Sequence, residues 1–244
     1  MTIRHHFELR QTIATILADC EETIRIASEG MRETRSEIER FLVKDPFFGS
    51  SYEPVDIPAG PIIIRDMAIA AKRAGVGPMA AVAGAIARGG VQAACKTRTE
   101  YCVIDNGGDI AIVSDRVVRI GLYAGESPLS GRYAFVIDPK EKMYGVCTSS
   151  ATVGHSFSFG TADSVTVFSD DIILADAIAT AVCNTLTLED QSCLQDLDPD
   201  IDGVYAVFHD KSLMWGDIPP IVRADNRDDL ITAGGLGFLR KKGQ

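Results

Sequence analysis

Asp176 and Thr180 lie four residues apart in the run Ala175-Asp176-Ala177-Ile178-Ala179-Thr180, and their types and spacing could do chemistry. On a helix this spacing puts them on one face, with Cβ atoms about 5–6 Å apart. A carboxylate and a hydroxyl are hard oxygen donors that suit Mg²⁺, which keeps coordination positions for water and phosphate. The competing structural reading pairs Asp176 with a neighbouring cation and bonds the Thr180 hydroxyl back to the carbonyl of Asp176. Just upstream, Thr148, Ser149, Ser150, Thr152, Ser156 and Ser158 form a hydroxyl-rich stretch punctuated by Gly154 and Gly160. Small residues let backbone N–H groups approach an anion closely, so this stretch reads as a phosphate- or sugar-binding segment. His155 is its one histidine; with no Gly-x-Ser-x-Gly elbow in the chain, hydrogen bonding suits it better than a nucleophilic pairing. A third cluster, Asp105-Asn106-Gly107-Gly108-Asp109, has two readings. Asn-Gly is a strong hairpin-turn signal. Alternatively the Gly-Gly turn offers N–H groups to a phosphate while Asn106 and Asp109 add side-chain hydrogen bonds.

These candidates need elements to hold them. Residues 3–17 alternate as one or two strands, and Thr23 to Ala27 reads as another. Met31 to Val43 reads as an amphipathic surface helix, and Lys44 to Pro61, with four prolines, as a long loop. Ile62 to Ala74 is a helix ended by Gly75. A second helix runs from Met79 to about Lys96; it is apolar nearly all round and therefore buried. Gly84 within it costs about 1 kcal/mol relative to Ala, which implies close packing or a ligand there. Strands are expected at Tyr101–Ile104, Ile110–Ser114, Val117–Tyr123, Tyr133–Ile137, Met143–Cys147, Ser164–Ser169, Val204–His209 and Leu213–Trp215. A helix opened by Asp170 and Asp171 carries Asp176 and Thr180. Helices and strands segregate rather than alternate, so the class is α+β, with antiparallel sheets packed against buried helices.

The chain has 244 residues, 46% of them hydrophobic and 24% charged, as in an ordinary folded domain. A formal charge of −10 argues against a nucleic-acid partner. The N-terminus has no export signal and no apolar run is long enough to cross a bilayer, so a cytoplasmic protein without a membrane partner is expected. Six scattered cysteines without a Cys-x-x-Cys pair read as reduced thiols, and Cys147 as a small core residue.

Taken in chain order, Asn106-Gly107-Gly108-Asp109-Ile110, Thr148-Ser149-Ser150, Ser164-Val165-Thr166-Val167 and Ala175-Asp176-Ala177-Ile178-Ala179-Thr180 resemble the ApbE superfamily of FAD:protein FMN transferases. Gly77 to Gly84 and Gly154-His155-Ser156-Phe157-Ser158-Phe159-Gly160 look like its small, uncharacterised cytoplasmic branch, over roughly residues 5 to 210. The resemblance implies one ApbE-like, T-fold-related domain over 1–244, built from interlocked halves of about 1–100 and 101–244. It implies Mg²⁺ and FAD or a related nucleotide as cofactors, with Asp176 and Thr180 as metal ligands and a backbone carbonyl near Val82 as a third. Asn106, Gly107, Gly108, Asp109, Thr148, Ser149, Ser150 and His155 would then hold the nucleotide, and His155 and Asp176 become the catalytic candidates. A protein acceptor and a homodimer are compatible with it. Three departures stand out: Ala83 precedes Gly84 where the transferases carry a Lys, Ser-Phe-Ser-Phe-Gly follows His155 in place of Asp-Pro-x-Thr-Gly, and the transferases are exported and longer whereas this chain reads as cytoplasmic. The competing functions are therefore a non-catalytic nucleotide-binding accessory protein and an enzyme of sulfur or cofactor metabolism with another small substrate.

Overall fold

The computed structural model describes residues 1–150, 162–224 and 232. The chain opens with a hairpin, β1 (Ile3–Leu9) and β2 (Thr12–Ala18). It then enters a 24-residue helix, α1 (Glu21–Lys44). The strand expected at Thr23 to Ala27 is therefore overturned: those residues form the first turns of α1. Their local β propensity loses to a longer pattern in which Thr23, Ile24, Ala27, Met31 and Ile38 are buried along one helical face. Glu21 and Glu22 also sit in the first turn, where the helix dipole favours negative charge.

The expected loop after α1 contains a short helix, α2 (Pro46–Ser50), capped by the Asp45 side chain, which accepts from Phe48 N at 3.3 Å. Helix α3 (Ile62–Ala74) ends at Gly75, whose φ of 71° provides the left-handed stop. A 3₁₀ turn over Pro78–Ala81 leads into α4 (Val82–Cys95), and α5 (Ile172–Thr185) starts with the Asp171 side chain accepting from Leu174 N. The remaining strands are β3 (Tyr101–Asn106), β4 (Asp109–Ser114), β5 (Val118–Gly121), β6 (Tyr133–Ile137), β7 (Lys140–Ser149), β8 (Ser164–Ser169), β9 (Gly203–Phe208), β10 (Lys211–Gly216) and β11 (Ile221–Arg223). The last was not foreseen; three residues at a sheet edge carry too short a pattern to read.

Eight strands form one antiparallel sheet in the order β1-β2-β3-β4-β7-β8-β9-β10, and β11-β6-β5 form a second. Helices α1, α3, α4 and α5 lie on one face of the large sheet around a core that includes Met31, Met67, Ile86, Ile104, Val165 and Ile173. The small sheet covers part of the other face, with Phe135 packed edge-on against Phe168 and Tyr205. This is an α+β architecture of three layers: helices, large sheet, small sheet. Among the described residues no single helix is long and apolar enough to cross a membrane, and α3 with α4 reach that length only together, across a bend of 107°.

Candidate functional site

The centre of the site is a crossing of α4 and α5 beneath the β3–β4 turn. Gly84 in the first turn of α4 donates its N–H to Asp176 Oδ2 at 2.7 Å. A Cβ at position 84 would lie 2.9 Å from the Asp176 Cβ and 3.0 Å from the Ile172 carbonyl, so only glycine lets the helices approach this closely. Among the described residues Asp176 has no ion-pair partner; its carboxylate is bound by the backbone amides of Gly84 and Ala83. Those amides belong to the first turn of α4, where N–H groups have no partner within their own helix.

Asp109 opens β4 on the same face and interacts with Asp176. The two carboxylates are only 9% and 6% exposed, so water does little to screen them from each other. Asp109 Oδ1 is buried and has no hydrogen-bond partner among the described residues. Burial drives the pKa of Asp176 up to about 7, against the opposing pull of the Gly84 and Ala83 amides. Burial, then the charges of Asp176 and Asp105, drives Asp109 well above the ordinary carboxylate range. Like charges this close cannot both ionise cheaply, so the pair keeps a proton near neutral pH. Of the charges that act most on Asp105, Asp109 and Asp176, only Arg4 is positive.

The Asn106–Asp109 turn has φ of 72° at Gly107 and 106° at Gly108, the two-residue hairpin geometry that needs left-handed backbone at both central positions. Gly108 N is already occupied by Asp105 Oδ1 at 2.9 Å, and Gly108 O accepts from Thr148 N at 3.1 Å. Asn106 Nδ2 donates to the Ala83 carbonyl at 2.9 Å. Asn106, Asp109 and Asp176 therefore converge.

The Thr148 side chain does not join them, because alternation along β7 turns it to the opposite face, although the Thr148 backbone amide donates to the Asp109 carboxylate. On that opposite face the Thr148 hydroxyl meets that of Thr166 at 2.9 Å, whereas the neighbouring Cys147 faces α5, donates to the Ile172 carbonyl at 3.5 Å and lies against the Asp109 carboxylate. Ser149, paired with the core residue Val165, returns to the helix face, and Ser150 Oγ donates to the Asp163 carbonyl at 2.6 Å. Thr180 is half-buried one turn beyond Asp176, and its hydroxyl does not bond back to the Asp176 carbonyl. His155 lies outside the described residues. Asp105 was not singled out from the sequence, though its place at the head of the Asp-Asn-Gly-Gly-Asp run is the signal that would have found it.

Two clefts lie elsewhere. One, of about 590 Å³, is walled by Asp66, Arg88, Asp170, Asp171, Asp200 and Asp202 among others; a smaller one, of about 280 Å³, lies near Arg73 and Cys193. Neither includes Asp109 or Asp176, and the chemistry of paired carboxylates outweighs cleft size in locating the site.

Comparison with solved structures identifies the fold. The chain superposes on the flavinyl transferase ApbE of Pseudomonas stutzeri with a TM-score of 0.56 at 11% identity, covering 96% of this chain and 98% of that one. It also superposes on the flavin transferase ApbE of Vibrio cholerae with a TM-score of 0.53 at 14% identity, covering 88% and 96%. The protein therefore has an ApbE-like fold. A family model described as "AbpE bacteria" matches residues 2–224, and a UPF0280 protein of Methanospirillum hungatei is 68% identical over 98% of both chains. This chain belongs to the UPF0280 family, an ApbE-like family.

Proposed function

We propose that this protein binds a flavin nucleotide, FAD or a close relative, together with Mg²⁺ at the Asp109–Asp176 site, and transfers or cleaves it. The observation that carries this reading is the buried carboxylate pair, with Asp109 Oδ1 unpartnered among the described residues. Two buried carboxylates are costly unless paired. Asp109, Asp176 and Thr180 offer oxygen donors, which fit a hard dication, and the Cys147 thiol beside Asp109 is held protonated by burial and by the two carboxylates. Asp176 and Thr180 would hold the ion, with Asp109 beside them. An ion held there would supply charge neutralisation for a pyrophosphate.

The chain's own residues supply the frame. The Gly84 and Ala83 amides fix the Asp176 carboxylate in one orientation, and the proton kept by the carboxylate pair would be displaced by a bound cation. The nucleotide would lie along Gly107–Asp109 and Ser149–Ser150, with His155 also proposed as a contact. The acceptor would be a Ser or Thr of another protein, as the resemblance to the transferases implies. A nucleotide-binding accessory role is favoured by one observation: Ala83 carries no charge where the transferases carry a Lys. One missing charge-assisted contact is worth about 1.5–3 kcal/mol, or roughly a ten- to hundredfold in rate.

Calorimetric titration with FAD and FMN, with and without Mg²⁺, tests the reading. Binding that requires Mg²⁺ and releases a proton supports it; failure to bind either flavin with or without the metal overturns it. Incubation with FAD, Mg²⁺ and a flavinylation acceptor peptide then separates enzyme from accessory protein by whether FMN becomes covalently attached.

A further inference from the structure

Asn106 and Asp176 touch the two ends of one peptide unit. Asn106 Nδ2 donates to the Ala83 oxygen at 2.9 Å, and the N–H of the same Ala83–Gly84 peptide donates to Asp176 Oδ2 at 2.7 Å. A trans peptide is rigid and planar, with its C=O and N–H pointing in opposite directions. A pull on one end is therefore a movement of the other. We propose that Asn106 is a positioning residue: it sets the Asp176 carboxylate through the Ala83–Gly84 peptide instead of holding the nucleotide itself.

Three features make this link tight. Asn106 ends β3 and is paired directly with Asp109 across the turn, so its backbone is held by the sheet. Asp109 in turn reaches Asp176, which closes a circuit: Asn106, Ala83–Gly84, Asp176, Asp109 and back to Asn106. The absence of a side chain at Gly84 lets the carboxylate rest directly on the peptide plane. A donor on the carbonyl also polarises the N–H at the far end, which strengthens the bond to the carboxylate. The sequence reading of Asn106 as a nucleotide contact gives its side-chain nitrogen a different partner from the one it has here. The circuit spans β3, β4, α4 and α5, four elements that no single sequence motif contains.

The inference rests on Asp176 being a metal ligand, so the experiment reads the link and the metal separately. Asn106→Ala is compared with Ser114→Ala, which removes another buried side-chain bond to a backbone carbonyl, from Ser114 Oγ to Arg116 O, at the far end of β4. The first readout is the affinity of the full chain for Mn²⁺, measured by electron paramagnetic resonance. Loss of an outer partner of a ligand typically weakens a site 10- to 100-fold. About a tenfold loss is expected in Asn106→Ala and none in Ser114→Ala. The second readout is the Gly84 amide proton shift in metal-free protein, expected to move upfield in Asn106→Ala alone as its bond to Asp176 lengthens. If Asn106→Ala does not fold, Asn106→Ser, which leaves a smaller gap, is measured the same way. Wild-type Mn²⁺ affinity and an unmoved Gly84 amide in the Asn106 variant overturn the proposal, as do equal losses in both variants. If the wild-type protein binds no Mn²⁺, the metal reading and the metal-positioning role fall, and the amide shift still decides whether the peptide link exists.

Discussion

Replacing Gly84 with Ala sets two effects of opposite sign against each other. Within a helix, Gly→Ala is normally stabilising, by about 0.8–1 kcal/mol. At this position the added Cβ would stand 2.9 Å from the Asp176 Cβ, 3.0 Å from the Ile172 carbonyl and 3.1 Å from Asp176 Oδ2. Two of these three neighbours lie on or next to the α5 backbone, so relief requires α5 to move rather than a side chain to rotate. Overpacking of this kind costs about 1–3 kcal/mol. Displacement of Asp176 also weakens a charge-assisted hydrogen bond worth about 1.5–3 kcal/mol when intact. With the helix gain subtracted, Gly84→Ala should lose about 2 kcal/mol. For a chain of this size that lowers Tm by about 4–8 °C. Gly121→Ala is the control, because no atom lies within 4 Å of a Cβ added there. Thermal unfolding followed by circular dichroism decides the matter. A Gly84→Ala protein that melts at or above wild type would refute the claim that the Asp176 carboxylate rests on this glycine.

Other consequences follow from the same structure. Asp176 holds a proton up to about pH 7 in the folded chain, whereas its ordinary value is 3.8. The native state therefore binds protons that the unfolded chain has released, at Asp176 and at Asp109, which is also held well above its ordinary value, and stability of metal-free protein should fall as pH rises from about 4 through about 7. Urea midpoints measured in EDTA should show this slope, and Asp176→Asn should reduce it, leaving the part that burial of Asp109 contributes; a slope of the opposite sign would be inconsistent with burial of these carboxylates. Arg73 joins α3 to the segment after α5 through Asp198, with Nε to Oδ2 at 2.7 Å, and also binds Asp200. Arg73→Ala should cost about 1–2 kcal/mol in chemical denaturation, with Arg73→Lys recovering only part because a point charge cannot replace a two-pronged fork. Cys20 is exposed at the start of α1 with its thiol pKa lowered by the Thr23 hydroxyl and amide, whereas Cys102, Cys147 and Cys183 are buried. Brief iodoacetamide treatment followed by peptide mass spectrometry should therefore label Cys20 ahead of those three; equal labelling would contradict their burial.

Elements with a strong local pattern were legible in the sequence: Ser164–Ser169 and Ile62–Ala74 carry the expected bounds, and Gly75 stops α3 as its type suggests. Thr23 to Ala27 misleads because the β-branched Thr23, Ile24 and Ile26 outweigh, over so short a window, the helical periodicity that continues to Ile38. Gly84 was recognisable as a close approach, but what approaches it was not. Asp176 is 92 residues away, and nothing local to either residue links them. The same limit applies to Thr148. A run of hydroxyls says nothing of which face each will take until the strand is known, and alternation along β7 sends Thr148 away from Asp176 while returning Ser149 to the helix side. Asp105 reads as part of a turn in sequence, yet its carboxylate is what holds Gly108 N.

The charges around the site constrain how a phosphate could enter it. Asp105, Asp109 and Asp176 are gathered within reach of one another, and Arg4 is the one positive charge among those acting most on them. A pyrophosphate approaching this surface alone would meet like charge in a region of low dielectric, where such repulsion is large. On the proposed reading, Ala83 then has a definite consequence. Without a lysine to meet the phosphate, the burden of neutralisation falls on the metal, and nucleotide affinity should depend on Mg²⁺ more steeply than in a site that keeps the lysine. Ala83→Lys tests this directly. The new side chain would extend from the first turn of α4, and it should raise FAD affinity in EDTA while narrowing the difference that Mg²⁺ makes. A variant that folds as wild type, yet leaves the Mg²⁺ dependence of FAD binding unchanged, would show that the phosphate does not pass position 83, and the nucleotide would have to be placed elsewhere on this fold.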